Sequence, residues 1–151
     1  MKKVFLLFIA IFTIISFSQA SHIVGGDIAV KWIGPSANDF QIQVTLFRSC
    51  GTGAAAMPTD VTVDLYDLNT HANVSTFLGF TRVLNPNLPF GDACFTPTGL
   101  CVDEGIFTKN VTIANRASGY FLSYDICCRN AGITNLANST ADGMTFYCEI
   151  P

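Results

Sequence analysis

The residues of this chain best equipped for chemistry are Cys127, Cys128 and Arg129, two thiols beside a cation. A cysteine nucleophile needs a thiolate with a base in reach. No base accompanies this pair, and an exported chain holds most of its cysteines as disulfides. Zinc is disfavoured by spacing, because no C-x-x-C pair is matched by a second ligand pair. Asp60, Asp64 and Asp67 could lend oxygens to a calcium ion. Asp60 and Asp64 share a strand face, however, and the plainer reading is a solvated face, as it is for Asp103-Glu104. Tyr66, Phe47 and Tyr147 could stack on sugar rings, although strand aromatics more often pack across strands. Asn73, Asn110 and Asn138 each open an N-x-S/T glycan-acceptor triplet. The expectation is no catalytic set, no cofactor site and no metal site.

Ile23-Val24-Gly25-Gly26 matches the activated amino terminus of chymotrypsin-like proteases, and here the match is a decoy. Such an enzyme needs a histidine, an aspartate and a serine in a glycine-rich loop. The only histidines are His22 and His71, and no Gly-Asp-Ser-Gly loop occurs.

The elements that must hold these residues begin after a leader. Met1-Lys2-Lys3 is a short basic start and Val4 to Phe17 an almost unbroken apolar run. Ser18-Gln19-Ala20 puts small residues at the two positions a signal peptidase reads. Residues 1–20 are therefore expected to be a Sec signal peptide, cleaved before Ser21. A membrane span needs about 18 or more apolar residues, and this run is shorter. Contact with the membrane is expected only during export, and the mature chain is expected to be secreted or on the cell surface. Residues 21–151 suit one domain. Losing Lys2 and Lys3 with the leader takes the net charge from −3 to −5. A mildly acidic, sparsely charged domain lacks the basic patches that nucleic acid requires.

Hydrophobic alternation marks strands in order. Ser21 to Ile33 puts Val24, Ile28, Val30 and Trp32 on one face, with Gly25-Gly26 permitting a bulge. Asp39 to Cys50 alternates most cleanly, with Phe40, Ile42, Val44 and Leu46 on one face. Asp60 to Leu68 sets Val61, Val63 and Leu65 against Thr62, Asp64 and Tyr66. Val74 to Leu84 reads as one further strand, and Glu104 to Ala114 as the next. In Gly119 to Asn130, Tyr120, Leu122, Tyr124, Ile126 and Cys128 share the core face. Gly143 to Ile150 is the last strand. About seven strands with regular turn signals predict an all-β, antiparallel, immunoglobulin-like β-sandwich. A barrel is the alternative closure.

The six cysteines all follow the leader: Cys50, Cys94, Cys101, Cys127, Cys128 and Cys148. An even count in an exported chain predicts a disulfide-stabilised domain. Cys50 and Cys128 both fall on core faces, which suggests a bridge between sheets. Cys94 and Cys101 could close a small loop, leaving Cys127 and Cys148. Alternatively one pair stays reduced. Neighbouring cysteines on opposite strand faces are not expected to join each other.

Several segments together are similar to a known family. Ser21-His22-Ile23-Val24-Gly25-Gly26-Asp27-Ile28 resembles the mature start of large exported surface proteins of gliding bacteria, the gliding-motility-associated or adhesin-like proteins. The resemblance continues in Val44 to Gly51, in Cys101 to Phe107 and in Cys127 to Leu136, with Cys148 an addition to the pattern. It implies that residues 21–151 are the amino-terminal β-rich module of a larger protein. Such proteins usually continue with repeated immunoglobulin-like or polycystic-kidney-disease-type domains, and often end in a sorting domain for type 9 secretion. It implies no catalytic residues.

The expected function is a non-enzymatic adhesion or structural module at the cell surface. Its expected partners are other surface proteins or extracellular polysaccharide. A carbohydrate-binding module appended to a secreted hydrolase is the alternative, and it requires exposed aromatics.

Overall fold

A computed structural model describes residues 22–151 apart from 52, 90–93, 95–97, 116 and 130–132. The expected signal peptide and its cleavage point at Ser21 lie outside the described residues. Among those described, the chain forms eight strands and no helix. They are β1 (Ile23–Trp32), β2 (Asp39–Ser49), β3 (Val63–Asp67), β4 (Asn73–Phe77), β5 (Thr81–Asn85), β6 (Val102–Thr112), β7 (Tyr120–Ile126) and β8 (Met144–Ile150). Two antiparallel four-stranded sheets result, ordered β1-β2-β6-β5 and β4-β3-β7-β8.

The core lies between the sheets, and the alternation in β2 and β7 builds much of it. Ile42, Val44 and Leu46 are fully buried on one side, facing Leu122, Tyr120 and Tyr124 on the other. Val61, Val63 and Leu65 complete the β3 side, as their spacing predicts, and Phe107 fills the centre from β6.

The first strand departs from its expected face. A bulge between Ile23 and Gly25 shifts the register against β2. It turns Ile23 fully inward and leaves Val24 exposed. Trp32, placed by alternation on the same face as Ile28, is also exposed. Its indole N–H donates to the Ser36 carbonyl at 2.8 Å, so the ring covers the Gly34-Pro35 turn instead. Gly26, just past the bulge, sits where a Cβ would lie 2.3 Å from the Thr45 carbonyl oxygen and 3.1 Å from Phe146. The obstacle is backbone, which cannot swing aside. Gly26→Ala is therefore expected to cost about 1–3 kcal/mol, the scale of core overpacking. A urea midpoint unchanged from wild type is the result that contradicts it.

The second departure is the segment expected to be one strand from Val74 to Leu84. It is extended on both sides of Gly79, but β4 joins one sheet and β5 the other. Gly79 takes φ +71°, which glycine adopts without steric cost. The Asp60 carboxylate holds the switch by accepting the N–H groups of Gly79 and Phe80, both at 2.9 Å, and of Val61 at 2.8 Å. These bonds, the one from Phe80 foremost, hold the Asp60 carboxyl below its ordinary range. Buried Phe80 anchors the crossover in the core.

Candidate ligand-binding face

The outer face of the β4-β3-β7-β8 sheet gathers most of the side chains suited to binding. Strand alternation sends Asp64 and Tyr66 outward from β3. It does the same for Phe121, Ser123 and Asp125 in β7, and for Thr145, Tyr147 and Glu149 in β8. Register places Tyr66 beside Phe121, and Ser123 between Asp64 and Tyr147. The rings of Tyr66 and Phe121 stack with centroids 5.0 Å apart and planes 14° apart. Phe121 and Tyr147 lie 5.2 Å apart and tilted by 36°. His71, in the β3–β4 turn, meets Phe121 edge-on at 5.6 Å. Three neighbouring strands thus contribute one row of rings. Phe121 is the middle ring, and Tyr147 is the most open at 52% exposure.

Polar groups surround the row. Asp64 accepts hydrogen bonds from the hydroxyl of Thr76 and from Asn73 Nδ2. Asp125 accepts from the hydroxyls of Thr145 and Ser123. The Tyr147 hydroxyl donates to Glu149 Oε1 at 2.6 Å, and that bond, which favours the neutral phenol, raises the Tyr147 pKa. None of the outward positions on β3, β7 and β8 is basic. The face is consequently aromatic at its centre, acidic and hydroxylated around it.

Two of the three aromatics singled out from sequence, Tyr66 and Tyr147, meet here through Phe121. The third, Phe47, lies on β2 in the other sheet. Sequence reasoning missed Phe121, although its parity with Ser123 and Asp125 marks it as an aromatic on a polar face.

The three aspartates considered for calcium serve separate structural tasks. Asp60 holds the sheet crossover and Asp64 belongs to the outer face. Asp67 is buried and accepts from the N–H groups of Asn69 and Thr70 and from the hydroxyls of Thr70 and Ser118. Among the described residues no group of three His, Cys, Asp or Glu side chains is arranged to hold a metal. Asp103 is buried against Arg48, while Glu104 accepts from Asn85 Nδ2 at 2.8 Å. Both therefore exceed the solvated role expected of them. Asn73, Asn110 and Asn138 are all exposed.

Comparison with family models, with curated proteins and with solved structures gave no match.

The disulfides correct the expected pairs. Cys50 joins Cys101, with Cα atoms 5.2 Å apart, and not Cys128. The reason is strand order: β2 lies beside β6, whereas β7 belongs to the opposite sheet. Cys101 is thereby taken, so the expected Cys94–Cys101 loop does not form. Cys127 and Cys128 are joined to each other across a cis peptide bond. The alternation that set them on opposite faces no longer governs them, because β7 ends at Ile126. Cys128 is buried, as expected, and Cys127 is exposed. Cys94 and Cys148 lie outside both bridges. Arg129 serves the strand end, donating from Nε to the Gly143 carbonyl at 2.8 Å. His22 accepts the Ala55 N–H at Nδ1, an anchoring contact for the loop that follows β2.

Proposed function

We propose that this chain is a non-enzymatic, secreted or cell-surface module that adheres to extracellular polysaccharide through the outer face of the β4-β3-β7-β8 sheet. The observation that carries this reading is the ring row Tyr66–Phe121–Tyr147 with Asp64, Asp125 and Glu149 around it. Sugars offer apolar C–H faces to rings and hydroxyl donors to carboxylates. Carboxylates only accept, and the hydroxyls of Thr145 and Thr76, whose hydrogens already go to Asp125 and Asp64, keep lone pairs that accept from sugar hydroxyls. An acidic face repels anionic polymers, so the favoured ligand is a neutral glycan. The non-enzymatic part is supported by the buried acids: Asp67 and Asp103 are both committed to holding the fold.

The finer fold reading is immunoglobulin-like. It is supported by the sheet order, which follows the A-B-E-D and C-F-G pattern with one added strand. Tyr120, at the start of β7, donates its hydroxyl to the Ala114 carbonyl at 2.8 Å, as the tyrosine corner of that fold does. Export by a Sec signal peptide, and membership of the gliding-motility-associated surface proteins, belong to the same proposal. The Cys50–Cys101 bridge favours an oxidising compartment.

The test is affinity electrophoresis and calorimetry against a panel of neutral and uronic-acid polysaccharides. A neutral glycan is expected to bind, and Tyr147→Ala to weaken it about tenfold, the scale of one lost ring contact. Trp32→Ala, at an exposed ring elsewhere, is expected to leave binding unchanged. Equal binding by wild type and Tyr147→Ala, or no binding across the panel, defeats the proposal.

A further inference from the structure

A second outward feature is the β5 edge of the sandwich. Among the described residues β5 pairs only with β6, which leaves the backbone N–H and C=O groups of its other side without a strand partner there. Thr81, Arg82, Val83 and Leu84 are all exposed. Beside them, exposed Leu78 marks the sheet crossover and exposed Val74 lies on β4, the neighbouring edge of the other sheet. Four of the large exposed hydrophobics therefore follow one side of the sandwich.

Edge strands are ordinarily guarded by charge, proline or a bulge. β1 carries Asp27 and Lys31, has a bulge and lies against β8. β4 is irregular against β3, and β8 carries Glu149. In β5 the single charge is Arg82, and its guanidinium is turned away to donate to the Pro58 and Met57 carbonyls at 2.8 and 3.4 Å. What alternation leaves on the outer face is Thr81, Val83 and Asn85, all uncharged.

We propose that β5 is a self-association edge that joins two copies of this chain. An antiparallel pair centred on Val83 sets Val83 against its own copy and Thr81 against Asn85. Arg82 then lies opposite Leu84, so no like charges meet. An identical strand suits this edge because the one charge of β5 then meets an apolar residue, and its uncharged outer positions meet each other, in both halves of the pair. Such a pair also brings the β4 edges of the two copies, with Val74 and Leu78, toward one another.

The geometry has a consequence for binding. The twofold axis of an antiparallel strand pair stands perpendicular to the sheet. Both aromatic faces of the dimer therefore look the same way, and a polymer with repeated sugars can engage both at once. Linked sites of this kind can gain about 10²–10⁴ in avidity without new contacts. The edge itself does not depend on the glycan reading.

Sedimentation velocity of the purified protein, from micromolar to high concentration, tests the edge without any glycan. Wild type is expected to move from monomer to dimer mass. Val83→Lys sets like charges opposite one another and is expected to weaken dimerisation more than about tenfold. Near-UV circular dichroism checks that this exposed substitution leaves the fold intact. Amide exchange supplies a readout that needs no variant: residues 81–85 should slow with rising wild-type concentration while the β1 amides do not. A wild type that stays monomeric throughout overturns the proposal. So does a folded Val83→Lys that dimerises as wild type does, or concentration-dependent protection that falls on another edge.

Discussion

Serine at both Cys50 and Cys101 is expected to lower the unfolding free energy by about 4 kcal/mol. The bridge closes a loop with a sequence separation of 51 residues. In the chain-entropy account, closing a loop of that length removes about 4 kcal/mol of freedom from the unfolded chain. The Cα separation of 5.2 Å lies within the ordinary range, so the folded strands need not move to accept the bond. The bridge also sits where the backbone is already joined, since the Cys50 N–H donates to the Cys101 carbonyl at 3.0 Å. Losing the sulfurs therefore leaves the folded geometry in place and acts through the unfolded state. Urea unfolding of the double variant should show an earlier midpoint and a steeper slope, because the freed unfolded chain exposes more surface. A loss below about 1 kcal/mol, within the range of an ordinary substitution, contradicts this expectation.

Much of the fold was legible because local alternation decides which side of a strand is buried. β2 and β7 each have one apolar face, and both are buried as their sequences imply. The failures come from contacts between distant residues. Nothing local reveals that Asp60 will hold the amides of Gly79 and Phe80 and so split one strand between two sheets. Val24 and Ile23 exchange places because a bulge resets parity, and Gly25-Gly26 indicates that a bulge is permitted without indicating the direction of the reset. The cysteine pairs fail for a related reason. Parity places Cys50 and Cys128 on core faces, but pairing depends on which strands are neighbours. The candidate face was half legible: Tyr66 and Tyr147 stand out as aromatics at polar positions, while Phe121 connects them only once β3, β7 and β8 lie side by side.

Asp103→Ala is expected to cost about 3–5 kcal/mol and to flatten the response of stability to acid. Asp103 is almost fully buried and forms an ion pair with Arg48, its direct cross-strand partner. Arg48 also donates to the Ala55 carbonyl, and its buried Nε has no hydrogen-bond partner among the described residues. Removing the carboxylate strands a guanidinium that is already one partner short. The Arg48 hydrogen bond first, and then the Asn87 N–H, hold the Asp103 carboxyl below its ordinary value of 3.8. The folded state thus binds its proton less readily than the unfolded chain does. The stabilisation is complete above the unfolded value and is lost as pH falls through the folded one. Wild-type urea midpoints should accordingly fall steeply below about pH 4, with Asp60 adding to the slope in the same direction. Asp103→Ala should begin lower at neutral pH and decline less. Arg48→Met with Asp103→Leu should recover much of the loss, because replacing a buried pair with apolar groups removes the desolvation cost on both sides. The end of the sandwich that holds this pair also holds the Cys50–Cys101 bridge, so the two losses should not add. An acid slope in Asp103→Ala equal to that of wild type means that the carboxylate is not what ties β2 to β6.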